Sequence, residues 1–309
     1  MIEPQLSVGG QAVIEGVMMR TPAALAVAVR SPKGELVAKT RALRDPSDRP
    51  KILRLPVVRG VITLFQALYL GIDALNYSAN QSLDEEDGEI GKGALTLTMA
   101  FAFALGIALF VYLPLQLTHL LEYAFPAVGT HSLVFNLIDG VIRLAIFLAY
   151  LVGMSQFKDL RRVFEYHGAE HKTIFAYENG DELTVENVGK YSTFHPRCGT
   201  NFLIIVMMMS ILIFSLLRSD APFYLKFFSR IVFVPLIAGL SYEIIRFAAK
   251  HQDRTWARWI TAPGLFLQRI TTKPPSAQQL EVAIRALQEV LTMEKNRPDS
   301  APRTFEIVL

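Results

Sequence analysis

The sequence is poor in cysteine and in charged residues. Its single cysteine, Cys198, excludes an intramolecular disulfide and is typical of a reducing compartment. Charged residues make up 19% of the chain, against about 25% in ordinary soluble proteins. The net charge of +3 does not favour a nucleic-acid partner. The first ten residues lack a basic region followed by an apolar run, so no cleavable signal peptide is expected.

Apolar residues are abundant instead, at 51% of the chain, and they are concentrated in four runs. A helix needs about 20 apolar residues to cross roughly 30 Å of hydrocarbon, and each run approaches this length. A bundle of buried core helices is the alternative, but the run 93–117 carries no charge and argues against it. The pattern predicts an α-helical membrane protein with a small α+β cytosolic portion and about four transmembrane helices, at residues 93–117, 133–154, 201–217 and 227–249.

The distribution of lysine and arginine predicts the orientation, because cytoplasmic segments near the spans carry more of them. Residues 1–92 contain eleven, residues 155–199 contain six and residues 250–309 contain nine, whereas residues 118–132 contain none. Successive segments between the spans therefore lie on alternate sides of the membrane. This predicts a multi-pass protein of the cell (inner) membrane, with the lipid bilayer as its partner and with both termini cytoplasmic.

The chain divides into three predicted regions: a cytosolic N-terminal module at 1–92, a four-helix transmembrane region at 93–249 with a cytosolic loop at 155–199, and a cytosolic tail at 250–309. In the tail, Ser276 and Gln279 have the spacing of a capping box. This spacing predicts a helix that continues to about Lys295.

The N-terminal module contains three recognisable segments. Residues 24–30 and 35–43 flank a Ser-Pro-Lys-Gly turn, which predicts a β-hairpin. Residues 61–75 place their apolar side chains on one helical face, so this helix is expected to lie in the membrane interface or to pack on the bundle. The acidic residues 84–89 are expected to form a solvated linker.

The residues that could bind a metal or act in catalysis are concentrated in the loop between the second and third runs. His167, Glu170 and His171 form the pattern His-x-x-Glu-His, and His195 and Cys198 follow shortly before the third run. The second run is expected to continue as a helix through residues 156–177, which includes both of these histidines. Histidines at i and i+4 lie on one face of a helix and can reach one ion. Zinc accepts imidazole and thiolate ligands in tetrahedral geometry. The spacing therefore predicts a zinc site with His167, His171, His195 and Cys198 as candidate ligands.

Three interpretations of this cluster remain open. Four bound ligands would make a closed structural zinc site, whereas three would leave a position for hydrolysis. Alternatively, Cys198 is a nucleophile with a histidine as its base, and Arg197 favours the thiolate. In the third interpretation, the histidines are hydrogen-bonded in a packed domain and hold no ion.

Other polar residues have simpler explanations. Asp139 with Arg143, and Glu243 with Arg246, are predicted to form local pairs within their helices, although a transport path is the alternative. The glycines around Gln11 favour a tight backbone turn packed on the hairpin. The alternative puts Gln11, or the nearby Glu15, at the edge of the histidine site.

Three blocks resemble one family of bacterial membrane proteins, DUF1385 (YqhQ-like). They are residues 9–20 (GGQAVIEGVMMR), residues 165–172 (EYHGAEHK) and residues 195–202 (HPRCGTNF). The resemblance extends over essentially the whole chain. It implies an integral membrane protein that belongs to a set labelled as metal-dependent enzymes, without an established substrate.

Two functions are predicted from these observations. In the first, the protein is a metal-dependent hydrolase at the cytoplasmic face, with Glu170 as the catalytic general base. In the second, it is a non-catalytic assembly or quality-control factor that binds other membrane proteins, and the His/Cys cluster only stabilises its cytosolic domain.

Overall fold

The computed structural model describes residues 6–43, 49–83, 91–218, 220–251 and 254–296. The predicted acidic linker at 84–89 lies outside these ranges. The described strands are β1 (Gly9–Val13), β2 (Gly16–Arg20), β3 (Ala24–Arg30) and β4 (Leu36–Ala42). The described helices are α1 (Val58–Gln81), α2 (Lys92–Ile107), α3 (Leu113–Ala124), α4 (Ser132–Met154), α5 (Lys158–Glu178), α6 (Val185–Gly189), α7 (Thr200–Ser215), α8 (Phe223–Val232), α9 (Val234–Ala249), α10 (Thr255–Thr271) and α11 (Ala277–Lys295).

The four strands form an antiparallel meander in the order β1-β2-β3-β4. The predicted hairpin is confirmed as β3 and β4, with Arg30 opposite Leu36. Gly34 in its turn has a φ of +84°, a conformation that favours glycine. Two further strands, β1 and β2, precede this hairpin and pair across the turn at Glu15.

Length and composition qualify three helices of the described chain to cross a membrane, or four when one bent pair is counted as a single span. The first predicted run is a helix from Gly93 to Ala124 that joins α2 and α3 through a π-helical turn at Ala108–Tyr112. The second is α4. The fourth is the pair α8 and α9, bent by 43° beside Phe233, and the third, α7, has only 16 residues.

Helix α1 is longer than the predicted amphipathic segment 61–75 and is itself apolar and long enough to span. Its C-terminal half packs on the sheet through Leu70 and Ala74. On the same half, Asp73 lies 3.8 Å from the Lys39 Nζ and 3.7 Å from an Arg41 guanidinium nitrogen of β4. Charged groups in this position favour packing on the sheet over exposure to lipid.

One core joins the N-terminal strands to the C-terminal helix. Val17, Met19, Ala26 and Ala28 of the sheet pack against α5 and α11, and Leu287 is fully buried there. The predicted capping box is confirmed: the Ser276 hydroxyl accepts from the Gln279 N–H, and the Gln279 side chain accepts from the Ser276 N–H. Helix α5 therefore packs against elements from both the N-terminal and the C-terminal part of the chain.

Two helical predictions need correction. The second run was expected to continue through residues 156–177, but α4 ends at Met154 and α5 begins at Lys158 after an extended Phe157. Helix α10 was not predicted, because Pro263 and several polar residues interrupt its apolar pattern. It nevertheless buries Leu267 against Ile204 of α7.

The buried charges pair partly as predicted. An Arg143 guanidinium nitrogen lies 2.7 Å from Asp139 Oδ2, which confirms that local pair, and Arg230 of α8 contacts the same carboxylate at 3.2 Å. In contrast, Glu243 of α9 forms a bidentate ion pair with Arg59 of α1 rather than with its helical neighbour Arg246. Contacts of α8 with α4 and of α1 with α9 bring these partners within reach, and sequence spacing cannot reveal this.

Candidate metal centre

Helix α5 supplies most of the site. His167 and His171 are one helical turn apart, with ring centroids separated by 4.4 Å, and Glu170 lies between them in sequence. Cys198 comes from the loop that immediately precedes α7. One ring nitrogen of each histidine and the Cys198 Sγ all lie within 4.8 Å of one another. The structure therefore brings three of the four predicted ligands together.

Backbone carbonyls fix the orientation of both imidazoles. His167 Nδ1 lies 2.9 Å from the Thr271 carbonyl oxygen, and His171 Nδ1 lies 2.5 Å from the Thr193 carbonyl oxygen. A carbonyl only accepts, so each Nδ1 carries the proton and each Nε2 presents a lone pair. His171 Nε2 is buried and has no hydrogen-bond partner among the described residues. Metal-binding histidines are commonly held in this way through their other nitrogen.

The Cys198 sulfur lies in surroundings that favour the thiolate. His167 Nε2 is 3.2 Å from Sγ, and the Thr200 N–H and hydroxyl donate to Sγ at 3.4 and 3.3 Å. Burial acts to raise the pKa of the thiol, but the nearby imidazole of His171 and the hydrogen bonds from Thr200 outweigh it and lower that pKa. The position just before the N-terminus of α7 acts in the same direction.

Glu170 is 5% exposed, and its Oε2 has no hydrogen-bond partner in the described part of the chain. Burial raises the pKa of this carboxyl to about 8, while the neighbouring His167 opposes the rise. Gly10 of β1 makes room for the side chain, because a Cβ at that position would come within 2.9 Å of the Glu170 Cγ. Glu170 thus lies next to the three-residue group without being one of its members.

His195, the fourth predicted ligand, lies beside the group but has other partners. Its Nδ1 accepts from the Arg197 N–H at 3.3 Å, and its Nε2 is 3.3 Å from Glu178 Oε2. The ring centroid is 5.7 Å from that of His171 and 4.4 Å from that of Phe175. Burial lowers the pKa of His195 to about 4, so the ring is neutral at pH 7. His195 therefore packs next to His171 without being a member of the three-residue group.

The donor set suits zinc. Two imidazole nitrogens and one thiolate are typical zinc ligands, and three protein ligands are the usual number in catalytic sites. The unpartnered Nε2 of His171 and the Nε2 of His167 lie on the side of Cys198, as binding of one ion would require. The residues present therefore fit a zinc ion with one position left for water or substrate.

The group opens on a cavity of about 480 Å³ between β1, α1, α5 and α7. His167, Glu170 and Cys198 lie on one side of this cavity, and apolar side chains of α1, including Leu64 and Leu68, lie on the other. Gln11 also lines it, which agrees with the alternative in which Gln11 lies at the edge of the site. Glu15 does not, since it forms a bidentate ion pair with Arg162 of α5.

Sequence reasoning missed the groups that orient the site. The Thr193 and Thr271 carbonyls carry no side-chain signal, because any residue could provide them. Gln268 of α10 is fully buried and forms two hydrogen bonds to the backbone of His195. A glutamine inside an unpredicted helix could not have been identified from its spacing.

Comparisons with known proteins identify a family to which the chain is similar. The profile of the family described as "Protein of unknown function (DUF1385)" matches residues 55–293. The chain is similar to the "Uncharacterized protein YqhQ" of Bacillus subtilis (strain 168), with 29% identity over 300 residues that cover 93% of this chain and 92% of that protein. No solved structure matches the chain.

Proposed function

The chain belongs to the DUF1385 family, and from the geometry of its site we propose that it is a membrane-bound, metal-dependent hydrolase. One observation carries this proposal. His167, His171 and Cys198 offer three convergent ligand atoms, both imidazoles are oriented by backbone carbonyls, and the group opens on a cavity that also contains Glu170.

Each residue has a distinct role in this proposal. His167 and His171 would hold the metal through Nε2, and Cys198 would hold it as a thiolate. Zinc in a site of this kind supplies a Lewis acid that makes water nucleophilic near neutral pH. Glu170, ionised where the positive charge of a bound metal lowers its pKa, would accept a proton from the attacking water and return it to the leaving group. His195 stays neutral and supports the ring of His171.

We further propose that the site lies at the cytoplasmic face of the cell membrane. Helix α4 ends four residues before α5 begins, and Cys198 lies two residues before α7 begins. The helix that carries the histidines therefore follows one apolar helix, and the cysteine precedes another. The helix Gly93–Ala124, α4, α7 and the bent pair of α8 and α9 would make the four crossings. Both termini would then be cytoplasmic, as the lysine and arginine distribution predicts.

The substitution Glu170→Gln separates catalysis from a structural role, since a structural site needs no general base. We expect the variant to keep zinc and its melting temperature but to lose function in cells, measured by complementation of a strain that lacks the chromosomal copy. Glu186→Gln, at an exposed position of α6, is the matched control. If the Glu170→Gln protein retains zinc, melting and full complementation, the hydrolase is excluded and the non-catalytic membrane factor is favoured.

A further inference from the structure

A second cavity, of about 390 Å³, lies between α7, α9 and α10. Its walls are mainly aliphatic, with Ile205, Ile245, Ala248 and Leu265 among the lining residues. This volume is within the range of small-molecule sites, which are about 300–1,000 Å³ and predominantly apolar. The cavity is therefore large enough for an apolar chain.

The polar groups of this cavity are few, and one of them is part of the metal centre. Cys198 lines both this cavity and the one that contains Glu170. The only cysteine therefore lies where the two spaces meet. A molecule whose apolar part lies between α7 and α9 would bring its other end to the candidate metal group.

Two arginines also line the cavity. Arg197 is half-buried and is paired with Glu178, whereas Arg258 is exposed on α10. An apolar space with a guanidinium at its solvent-exposed edge is complementary to an amphiphile with a negatively charged group. An uncharged apolar molecule or a cation would not form an ion pair with the Arg258 guanidinium.

The surroundings favour entry from a bilayer. Helix α10 exposes Trp259 at 76% and Phe266 at 61%, and Trp256 is exposed one turn earlier. Tryptophan is enriched where a membrane meets water. The neighbouring helices α7 and α9 belong to the proposed crossings, so the cavity lies at the level where lipid head groups would be.

We propose that this cavity binds the apolar chain of an anionic amphiphile next to the candidate metal group. Arg258 contacts the anionic group, the chain lies along Ile205 and Ile245, and the remainder reaches Cys198. This binding does not depend on the proposed hydrolase. A free fatty acid and an anionic phospholipid share this chemistry, and the test distinguishes them.

The probe is 11-(dansylamino)undecanoic acid, added to the full-length protein in phosphatidylcholine nanodiscs. We expect saturable binding with enhanced fluorescence. Ala249→Trp and Ala262→Trp fill the cavity from side chains that are not fully buried, and each should weaken binding at least tenfold. Ala104→Trp, the same change at an exposed position of α2, should have no effect. Melting curves establish that each variant is folded.

The same assay tests the contribution of the Arg258 charge and distinguishes a free fatty acid from a phospholipid as the ligand. Arg258→Gln should weaken binding severalfold, and Arg254→Gln, an exposed arginine of the same region that does not line the cavity, should not. Displacement by oleate alone indicates a free fatty acid, and displacement by phosphatidylglycerol indicates a phospholipid. Equal affinity in Ala249→Trp, Ala262→Trp and Ala104→Trp, or the absence of saturable binding, would overturn the proposal. Glu170→Gln should bind the probe normally, so failure of the hydrolase leaves this result interpretable.

Discussion

The side-chain amide of Gln268 forms two hydrogen bonds with the backbone of His195, as a neighbouring strand would. Its Nε2 donates to the His195 carbonyl oxygen at 2.8 Å, and its Oε1 accepts from the His195 N–H at 2.8 Å. The two residues are 73 positions apart, and both are buried. Through this pair, α10 holds the loop that carries Cys198, and the Thr271 carbonyl from the same helix orients His167.

Gln268→Leu should destabilise the protein and loosen the metal centre. The change leaves two buried backbone groups of His195 without partners, at a cost of about 1–3 kcal/mol each. We expect a lower melting temperature in detergent and partial loss of zinc. Gln288→Leu, at an exposed position of α11, is the control and should melt like the wild type. Wild-type melting of Gln268→Leu would mean that the loop is held by other contacts.

Local patterns predicted those parts of the fold that depend on neighbours in sequence. The apolar runs, the β3–β4 hairpin and the cap at Ser276 are of this kind, and so is the spacing of His167 and His171. Helix α10 was missed because its burial depends on α7, which is distant in sequence. The partners of Glu243 and His195 are likewise tertiary, and no residue spacing encodes them.

Substitution of a ligand should remove the metal. His167→Ala, His171→Ala and Cys198→Ser each delete one of three convergent ligands, and a site with two ligands binds zinc far more weakly. We expect elemental analysis to find roughly stoichiometric zinc in the wild type and little in each variant. His131→Ala, an exposed histidine before α4, is the matched control.

His195→Ala distinguishes between the sequence prediction and the proposed ligand set. Because both ring nitrogens of His195 have partners outside the group, the variant should keep most of its zinc but melt at a lower temperature. Loss of zinc equal to that of His171→Ala would make His195 a ligand. Stoichiometric zinc in all three ligand variants would contradict the site altogether.

A methyl group at Gly264 should perturb the candidate metal centre, although Gly264 is not part of it. A Cβ there would overlap the Asn201 Oδ1, and the Asn201 Nδ2 donates to the Pro196 carbonyl in the Cys198 loop. Overpacking of this kind costs about 1–3 kcal/mol. Gly264→Ala should therefore lower both the melting temperature and the zinc content.

Gly106→Ala provides the comparison for this prediction. Nothing lies within 4 Å of a Cβ at that position of α2, so the only expected effect is the better helix propensity of alanine, about 1 kcal/mol. Its melting temperature should be unchanged or higher, and its zinc content should equal that of the wild type. If the two glycine variants behave alike, the packing of Asn201 against α10 does not control the Cys198 loop.

The last prediction concerns whether α1 crosses the membrane, because its length and composition permit this. Asp73 faces Lys39 and Arg41 of the sheet, and placing such charges at the bilayer centre costs about 2.5–3.5 kcal/mol each on insertion scales. The sheet also covers Leu70 and Ala74. Helix α1 should therefore pack on the cytosolic core without crossing.

Reporter fusions test this arrangement directly. A reporter before residue 1, one within the linker 84–89 and one after residue 309 should all report the cytoplasm, and a reporter at residue 125 should report the opposite side. A reporter within residues 155–199 should also report the cytoplasm. Opposite sides for the first two fusions would make α1 a span. The sheet would then be separated from α5 and α11, which contradicts the single core that they share.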